Sequence, residues 1–340
     1  AERDMRVIIK VGKAPRIPVK PQNVVPLKSS VEKPAPSVQK VASFPLNPQY
    51  RFDNFVVGPS NQMAHAASVA VGQLPGQSFN PLFIYGGTGL GKTHLLHAIA
   101  REILTKNPNA RIKYISAEEF TNQVIKSIQN RDMDDFRNRF RKNCDVLLMD
   151  DAHVLAGKER TQEEFFYTFN ALHESQKQIV LTSDKTPQDI PRFEERLRSR
   201  FQWGLITDIK PPQLETRVAI LNGKANRDAL DLPADVAFYL ASLIRSNVRE
   251  LEGALVRLAA YASFNRRKLT MEFAEEALRD LIDTRGRTLT IDAIIKLVAD
   301  HFDVRSIELK GKRRHRIVAR PRSIAMYLCR KHTQASFPHI

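Results

Sequence analysis

Between Pro81 and Ser183 the chain carries short apolar runs separated by longer stretches. PLFIYG (81–86), RIKYIS (111–116), VLLMD (146–150) and QIVLTS (178–183) are dominated by Leu, Ile, Val and aromatic residues. Runs of that length ending in small or polar residues read as strands. THLLHAIAREILTK (93–106) has apolar residues at helical spacing instead. Strands alternating with helices predict an α/β domain with a mostly parallel sheet. After Pro211–Pro212 the pattern becomes purely helical, at about 214–226, 233–244, 247–263 and 270–283, and a further helical unit, TIDAIIKLVADHF, starts near Thr290. No internal repeat is visible.

The beginning of the chain has a different texture. RVIIKVGK (6–13) reads as a single strand with no partner, and eight prolines follow between Pro15 and Pro48. Such a segment buries too little apolar area to offset its ordering entropy, so residues 15–47 read as a flexible linker. With no initiator Met, residues 1–14 read as the remnant of an N-terminal domain.

Composition adds a partner class. The chain has 340 residues, 42% of them hydrophobic, which allows one large domain or two to three smaller ones, and a net charge of +16. That charge points to a polyanion, either nucleic acid or an anionic membrane. It sits at the ends: nine Lys/Arg against three acids in 1–43, and nine Lys/Arg with no acid in 309–340. The middle is balanced. Two distant cysteines, Cys144 and Cys329, make neither a disulfide framework nor a metal cluster. There is no apolar run of membrane-spanning length and no apolar signal core. The expectation is a soluble, cytoplasmic protein.

Candidate chemistry begins at GGTGLGKT (86–93), which fits G-x-x-x-x-G-K-[ST] between a strand and a helix. Gly86, Gly87, Gly89 and Gly91 let backbone N–H groups turn towards phosphates. Lys92 can reach the β- and γ-phosphates, and the Thr93 hydroxyl can ligate Mg²⁺. DVLLMDD (145–151) is an apolar strand ending in two carboxylates; in a P-loop fold it is expected beside the first strand. Asp150 is then the Mg²⁺ partner, through water. Asp151 either orients or deprotonates an attacking water, caps a helix, or does both. Ser183 or Asp184 ends the next strand and can meet a γ-phosphate or a water. Arg196, Arg198 and Arg200 lie in RFEERLRSRFQWGL, either as a solvated helix face or with one reaching a neighbouring subunit's phosphate. SNVRELEGALVRLAAYA (246–262) is an amphipathic helix opened by Ser246. Arg249 in its first turn opposes the helix dipole and so calls for an anion, either a phosphate or a nearby Glu.

These motifs, with HVLAGKERTQEEFFYTFNAL, LTSDKTPQDI, RLRSRFQWGL and PPQLETRVAIL through SNVRELEGAL, resemble the AAA+ ATPases, and within them the bacterial chromosomal replication initiators. The resemblance covers roughly 45–340. It implies a P-loop AAA+ parallel-sheet domain (48–213), a helical lid (214–286) and a partial all-α helix-turn-helix DNA-binding domain (287–340) that stops before the recognition helix. Arg200 matches the family's arginine finger, Arg249 its γ-phosphate-sensing lid arginine and Asp184 its sensor. FVVGPSNQ (55–62) is similar to the segment that packs on adenine, with Val57 and Asn61 as contacts. Helices at about 117–128 and 132–142 are similar to the initiator insertion, and Ile125, Lys158 and Arg160 align with contacts to single-stranded DNA. In KGKRRHRIVARPR (310–322), Arg313, Arg314, Arg316, Arg320 and Arg322 are suited to phosphates.

The function implied is ATP-dependent initiation of chromosomal replication. ATP and Mg²⁺ would control head-to-tail self-assembly on double-stranded origin DNA, and slow hydrolysis to ADP would switch it off. Single-stranded DNA, the replicative helicase, regulators acting through the N-terminal domain and acidic phospholipids are the other implied partners. A helicase loader or regulatory ATPase, and an ATP-tuned transcription repressor, are the alternatives.

Overall fold

The computed structural model describes residues 45–286, 291–311, 315–333 and 336. The expected strand at 6–13, most of the linker, and Arg313 and Arg314 lie outside them, as does the side chain of Arg316. In chain order, α1 (Gln62–Gln73), β1 (Leu82–Gly86), α2 (Lys92–Lys106), β2 (Ile112–Ser116), α3 (Ala117–Asn130), α4 (Met133–Arg137), β3 (Val146–Asp150), α5 (Glu159–Glu174), β4 (Gln178–Ser183), α6 (Glu195–Phe201) and β5 (Leu205–Ile209) build the α/β unit. A π-helical turn, Asn138–Lys142, extends α4.

The sheet order is β2-β3-β4-β1-β5, and every pairing is parallel. This corrects one expectation: β3 does not lie beside β1. QIVLTS is buried at all six positions and takes the place between them as β4. The strands share one direction, so their carboxyl ends still meet at one edge, and Asp150 still reaches Thr93 at the start of α2. A fifth strand, LITDI, was not anticipated. It pairs with β1 at the sheet edge and is only partly buried.

Period-two alternation sends successive side chains to opposite faces. Phe83, Leu147, Met149 and Leu181 join a core under α3 to α6. Leu82, Ile84, Leu148 and Val180 join a second core under α1 and α2. Central strands covered on both faces need continuous apolar sequence, which β3 and β4 have.

The helical unit comprises α7 (Leu214–Arg227), α8 (Ala234–Leu243), α9 (Val248–Asn265) and α10 (Met271–Gly286) around Leu221, Leu240, Leu251, Leu255, Leu258 and Phe273. The cap of α9 is Asn247 rather than Ser246. The Asn247 side chain accepts from the Glu250 N–H at 2.8 Å, while the Ser246 hydroxyl donates to the Glu250 carboxylate at 2.6 Å. A third set, α11 (Ile291–His301), α12 (Ser306–Lys310) and α13 (Arg316–His332), packs on Ile294, Val298, Leu309, Val318 and Cys329. Among the described residues no helix is long and apolar enough to cross a membrane.

Candidate functional site

The loop after β1 turns sharply into α2, and two glycines make the turn possible. Gly89 (φ +74°) and Gly91 (φ +102°) occupy the left-handed region. A Cβ on Gly91 would lie 2.9 Å from the Phe55 ring, and one on Gly89 would lie 2.9 Å from Asn247 Oδ1 and 3.0 Å from Arg249 Cβ. The backbone N–H groups of Val248 and Arg249 donate to the Gly89 carbonyl at 3.1 and 3.2 Å, which ties the start of α9 to the loop. No side chain caps the first turn of α2, so its N–H donors and its positive dipole end face the cleft, an arrangement that fits a phosphate.

Lys92 is buried. Its ammonium donates to the Gly86 and Gly87 carbonyls at 2.8 and 3.0 Å and to Asp184 Oδ1 at 2.7 Å. Asp184 also accepts from the Thr88 hydroxyl at 3.3 Å. Burial works to raise the Asp184 pKa, but the bond to Lys92, with its charge, outweighs burial and leaves it below the ordinary carboxylate range. Ser183, the other candidate, is buried, and its hydroxyl accepts from the Lys185 N–H at 3.1 Å, so Asp184 is the group that faces the loop.

Asp150 is buried and densely bonded. The Thr93 hydroxyl donates to Oδ2 at 2.7 Å, the Tyr114 hydroxyl donates to the same oxygen at 3.1 Å, and Thr182 donates to Oδ1. Asp151 caps nothing: it sits at φ +56° and its side chain makes no capping bond, while its N–H donates to Thr182 Oγ1 at 3.1 Å. Burial, and then the neighbouring Asp150 charge, raise the Asp151 pKa. Among the described residues no cluster of three or more His, Cys, Asp or Glu could hold a metal by itself. One hydroxyl and one carboxylate, Thr93 and Asp150, fit a magnesium ion that takes its other ligands from phosphate and water.

Lys92, Thr93, Asp151 and Asp184 line a cleft of about 440 Å³, within the roughly 300–1,000 Å³ range of ligand pockets, and Asp150 sits behind Thr93, bonded to its hydroxyl. Its walls include Tyr50, Phe55, Val56, Asn61 and Ile220, with Lys224, Arg227 and Arg249 from the helical unit. Val57 is 46% exposed and does not line the cleft; Val56, one residue earlier in the extended segment, does. The Asn61 side chain is occupied locally, donating to the Val56 carbonyl at 3.0 Å and accepting from the Gly58 N–H at 2.9 Å. Arg249 lines the cleft and forms no ion pair with Glu among the described residues. Lys224 and Arg227 escaped the sequence reading. A cation on an amphipathic helix looks solvated until the fold shows which way it faces.

Arg200 lies outside its own chain's cleft. Its guanidinium stacks 3.8 Å from the Trp203 ring centroid and 5.6 Å from that of Phe166. Arg196 and Arg198 pair with Glu194 and Glu195, respectively.

The expected DNA-binding residues separate into groups. Ile125 is exposed on α3, and Lys158 Nζ lies 3.5 Å from Thr121 Oγ1, one turn before Ile125 on the same helix. Arg160 is exposed at the start of α5. Arg320 is exposed on α13. Arg322 departs from expectation. It is turned inwards and donates to the Leu309 and Glu308 carbonyls at 2.8 and 2.9 Å, closing the carboxyl end of α12. A guanidinium so placed holds the bundle together and is poorly placed for a phosphate.

Two family models match the chain. The bacterial DnaA ATPase domain matches 46–208, and the bacterial DnaA helix-turn-helix domain matches 291–340. The chain is 56% identical over 295 residues to the chromosomal replication initiator protein DnaA of Citrifermentans bemidjiense, covering 87% of this chain. It spans 64% of the length of that relative. The crystal structure of domain III of Thermotoga maritima DnaA matches with a TM-score of 0.68 and 43% identity, over 70% of this chain and 98% of that one. A replication initiator DnaA bound to AMPPCP and single-stranded DNA matches with a TM-score of 0.64 and 34% identity, over 86% of each. The five-strand order, the phosphate loop tied to α9 and these likenesses lead to one conclusion: the chain belongs to the DnaA family of bacterial chromosomal replication initiators.

Proposed function

We propose that this chain is the nucleotide-controlled core of a replication initiator, with residues 48–213 as its nucleotide-binding subdomain, 214–286 as the lid and 287–340 as its duplex-binding part. The observation that carries this reading is the convergence of Lys92, Thr93 and Asp184 on one cleft, with Asp150 bonded to Thr93 behind them, Arg249 on the facing wall and Arg200 outside it. One chain thus has most of a triphosphate site and, on another surface, a cation to complete a second copy's site. Magnesium-bound ATP supplies the triphosphate whose terminal charge the switch reads.

Each residue then has a task. Lys92 exchanges Asp184 for a phosphate oxygen, and both partners keep the charge they need. Thr93 and Asp150 orient the metal. Asp151, with its proton affinity raised, is suited to take a proton from the attacking water. Arg249 from the lid and Arg200 from the neighbour both favour the triphosphate over the diphosphate, and that differential affinity is the switch. Head-to-tail contacts that do not close give a filament. Ile125, Lys158 and Arg160 would bind single-stranded DNA, a ligand that the matched complex also holds, and Arg320 the phosphates of origin duplex. The replicative helicase, regulators and acidic phospholipids are proposed partners of the longer protein, in the cytoplasm.

The test is Arg200→Ala. Nucleotide affinity should stay within about twofold of wild type, while ATP-dependent assembly on single-stranded DNA disappears. Assembly equal to wild type would remove the basis of the reading.

A further inference from the structure

We infer that Trp203 is a positioning residue for Arg200: its indole face, with Phe166, keeps the guanidinium ordered without neutralising it. This rests on the reading of Arg200 as the cation that completes a neighbour's site. An arginine with that task meets two opposed demands. It must be held, or it loses side-chain entropy on docking. Yet a carboxylate holding it would compete with the incoming phosphate.

The three arginines of α6 divide along this line. Arg196 and Arg198 have carboxylate partners in Glu194 and Glu195. Arg200 forms none of the ion pairs among the described residues, and its guanidinium lies 3.8 Å from the Trp203 centroid. Phe166, packed against the core below, is 5.6 Å from Arg200 and 4.8 Å from Arg196. A π face attracts a cation through its quadrupole and leaves the net charge in place. Trp203 is 54% exposed and stacks on Arg200, so the ring stands on the same surface as the cation it carries, and the Trp203 backbone N–H donates to the Arg200 carbonyl at 3.2 Å.

The experiment uses the whole 340-residue chain, in which Trp203 is the sole tryptophan. Without nucleotide, Arg200→Ala should change the intensity or wavelength of Trp203 emission, because the stacked cation has gone. Unchanged emission would mean that the stack does not exist and would overturn the proposal. Trp203→Leu removes the π face and keeps apolar bulk. It should weaken ATP-dependent assembly on single-stranded DNA about two- to fivefold, the effect of losing one exposed cation–π contact. ATP affinity should not change. Trp203→Phe keeps a π face and should restore most of the loss. Equal losses in Leu and Phe, or no loss in Leu, would overturn the proposal. If Arg200→Ala alone assembles like wild type while the emission change is present, the fault lies in the reading of Arg200 and not in the stack.

Discussion

Thr182→Val offers a sharp test of how the cleft is built. The Thr182 hydroxyl is fully buried; it donates to Asp150 Oδ1 and accepts from the Asp151 N–H at 3.1 Å. Valine has the same shape and neither function. A hydrogen bond to a charged group contributes about 1.5–3 kcal/mol. The Asp151 N–H also loses its acceptor, although half-burial lets water answer part of that loss. Thr93 and Tyr114 continue to serve the other carboxylate oxygen, which keeps the cost below that of an isolated buried charge. The expected destabilisation is about 2–4 kcal/mol, a large share of the roughly 5–15 kcal/mol typical of a folded protein. Thr207→Val is the matched control. Its hydroxyl is buried with no hydrogen-bond partner among the described residues, so valine should be neutral or stabilising. Urea unfolding followed by Trp203 emission reads the sheet unit in both variants. Equal shifts in the two midpoints would refute the claim that Thr182 holds the Asp150 carboxylate in place.

Other expectations follow from the same geometry. Lys92→Ala should lower nucleotide affinity at least about 100-fold, measured with a fluorescent nucleotide, while circular dichroism reports an intact fold; near-normal affinity would mean the loop is misread. Asp151→Asn should abolish most ATP hydrolysis and raise stability at neutral pH. The folded-state pKa of Asp151 lies above its unfolded value, so its contribution is full below the unfolded pKa and is lost as pH rises through the folded one. The gain from Asn should therefore vanish in urea titrations below the ordinary carboxylate range of about pH 4 and grow above it. Asn also tolerates the left-handed backbone at this position. Arg320→Ala should leave stability within about 0.5 kcal/mol and reduce the salt slope of duplex binding by about one. Arg322→Ala should instead destabilise the bundle of α11 to α13, read by thermal melting; equal behaviour of the two variants would contradict the inward bonding of Arg322.

The parts legible in the sequence were those with a local cause. Strands β1, β3 and β4 announced themselves because strands covered on both faces are mostly apolar; β2, IKYIS, is an edge strand and was legible from its Ile and Tyr residues. Strand β5 did not: LITDI lies at an edge, is half-exposed and follows a polar arginine stretch. The phosphate loop was legible because its glycines are needed for backbone reasons. Thr182 was hidden, since a β-branched residue in an apolar run reads simply as a strand former. The exchange of Val57 for Val56 shows how one residue in an extended segment reverses which side chain faces a site. Arg320 and Arg322 are chemically identical, but residues two apart on a helix face different directions, and only the packing of α12 against α13 tells them apart. The placing of β4 between β3 and β1 is likewise a property of the assembled sheet, not of any one strand.

The most direct measurement of the central claim is particle mass in solution, by sedimentation of the wild-type chain with single-stranded DNA and with saturating ATP analogue or ADP. A triphosphate gripped by Lys92 and Arg249 of one copy and Arg200 of the next should give large particles, and the diphosphate small ones. The same mass distribution with both nucleotides would contradict it.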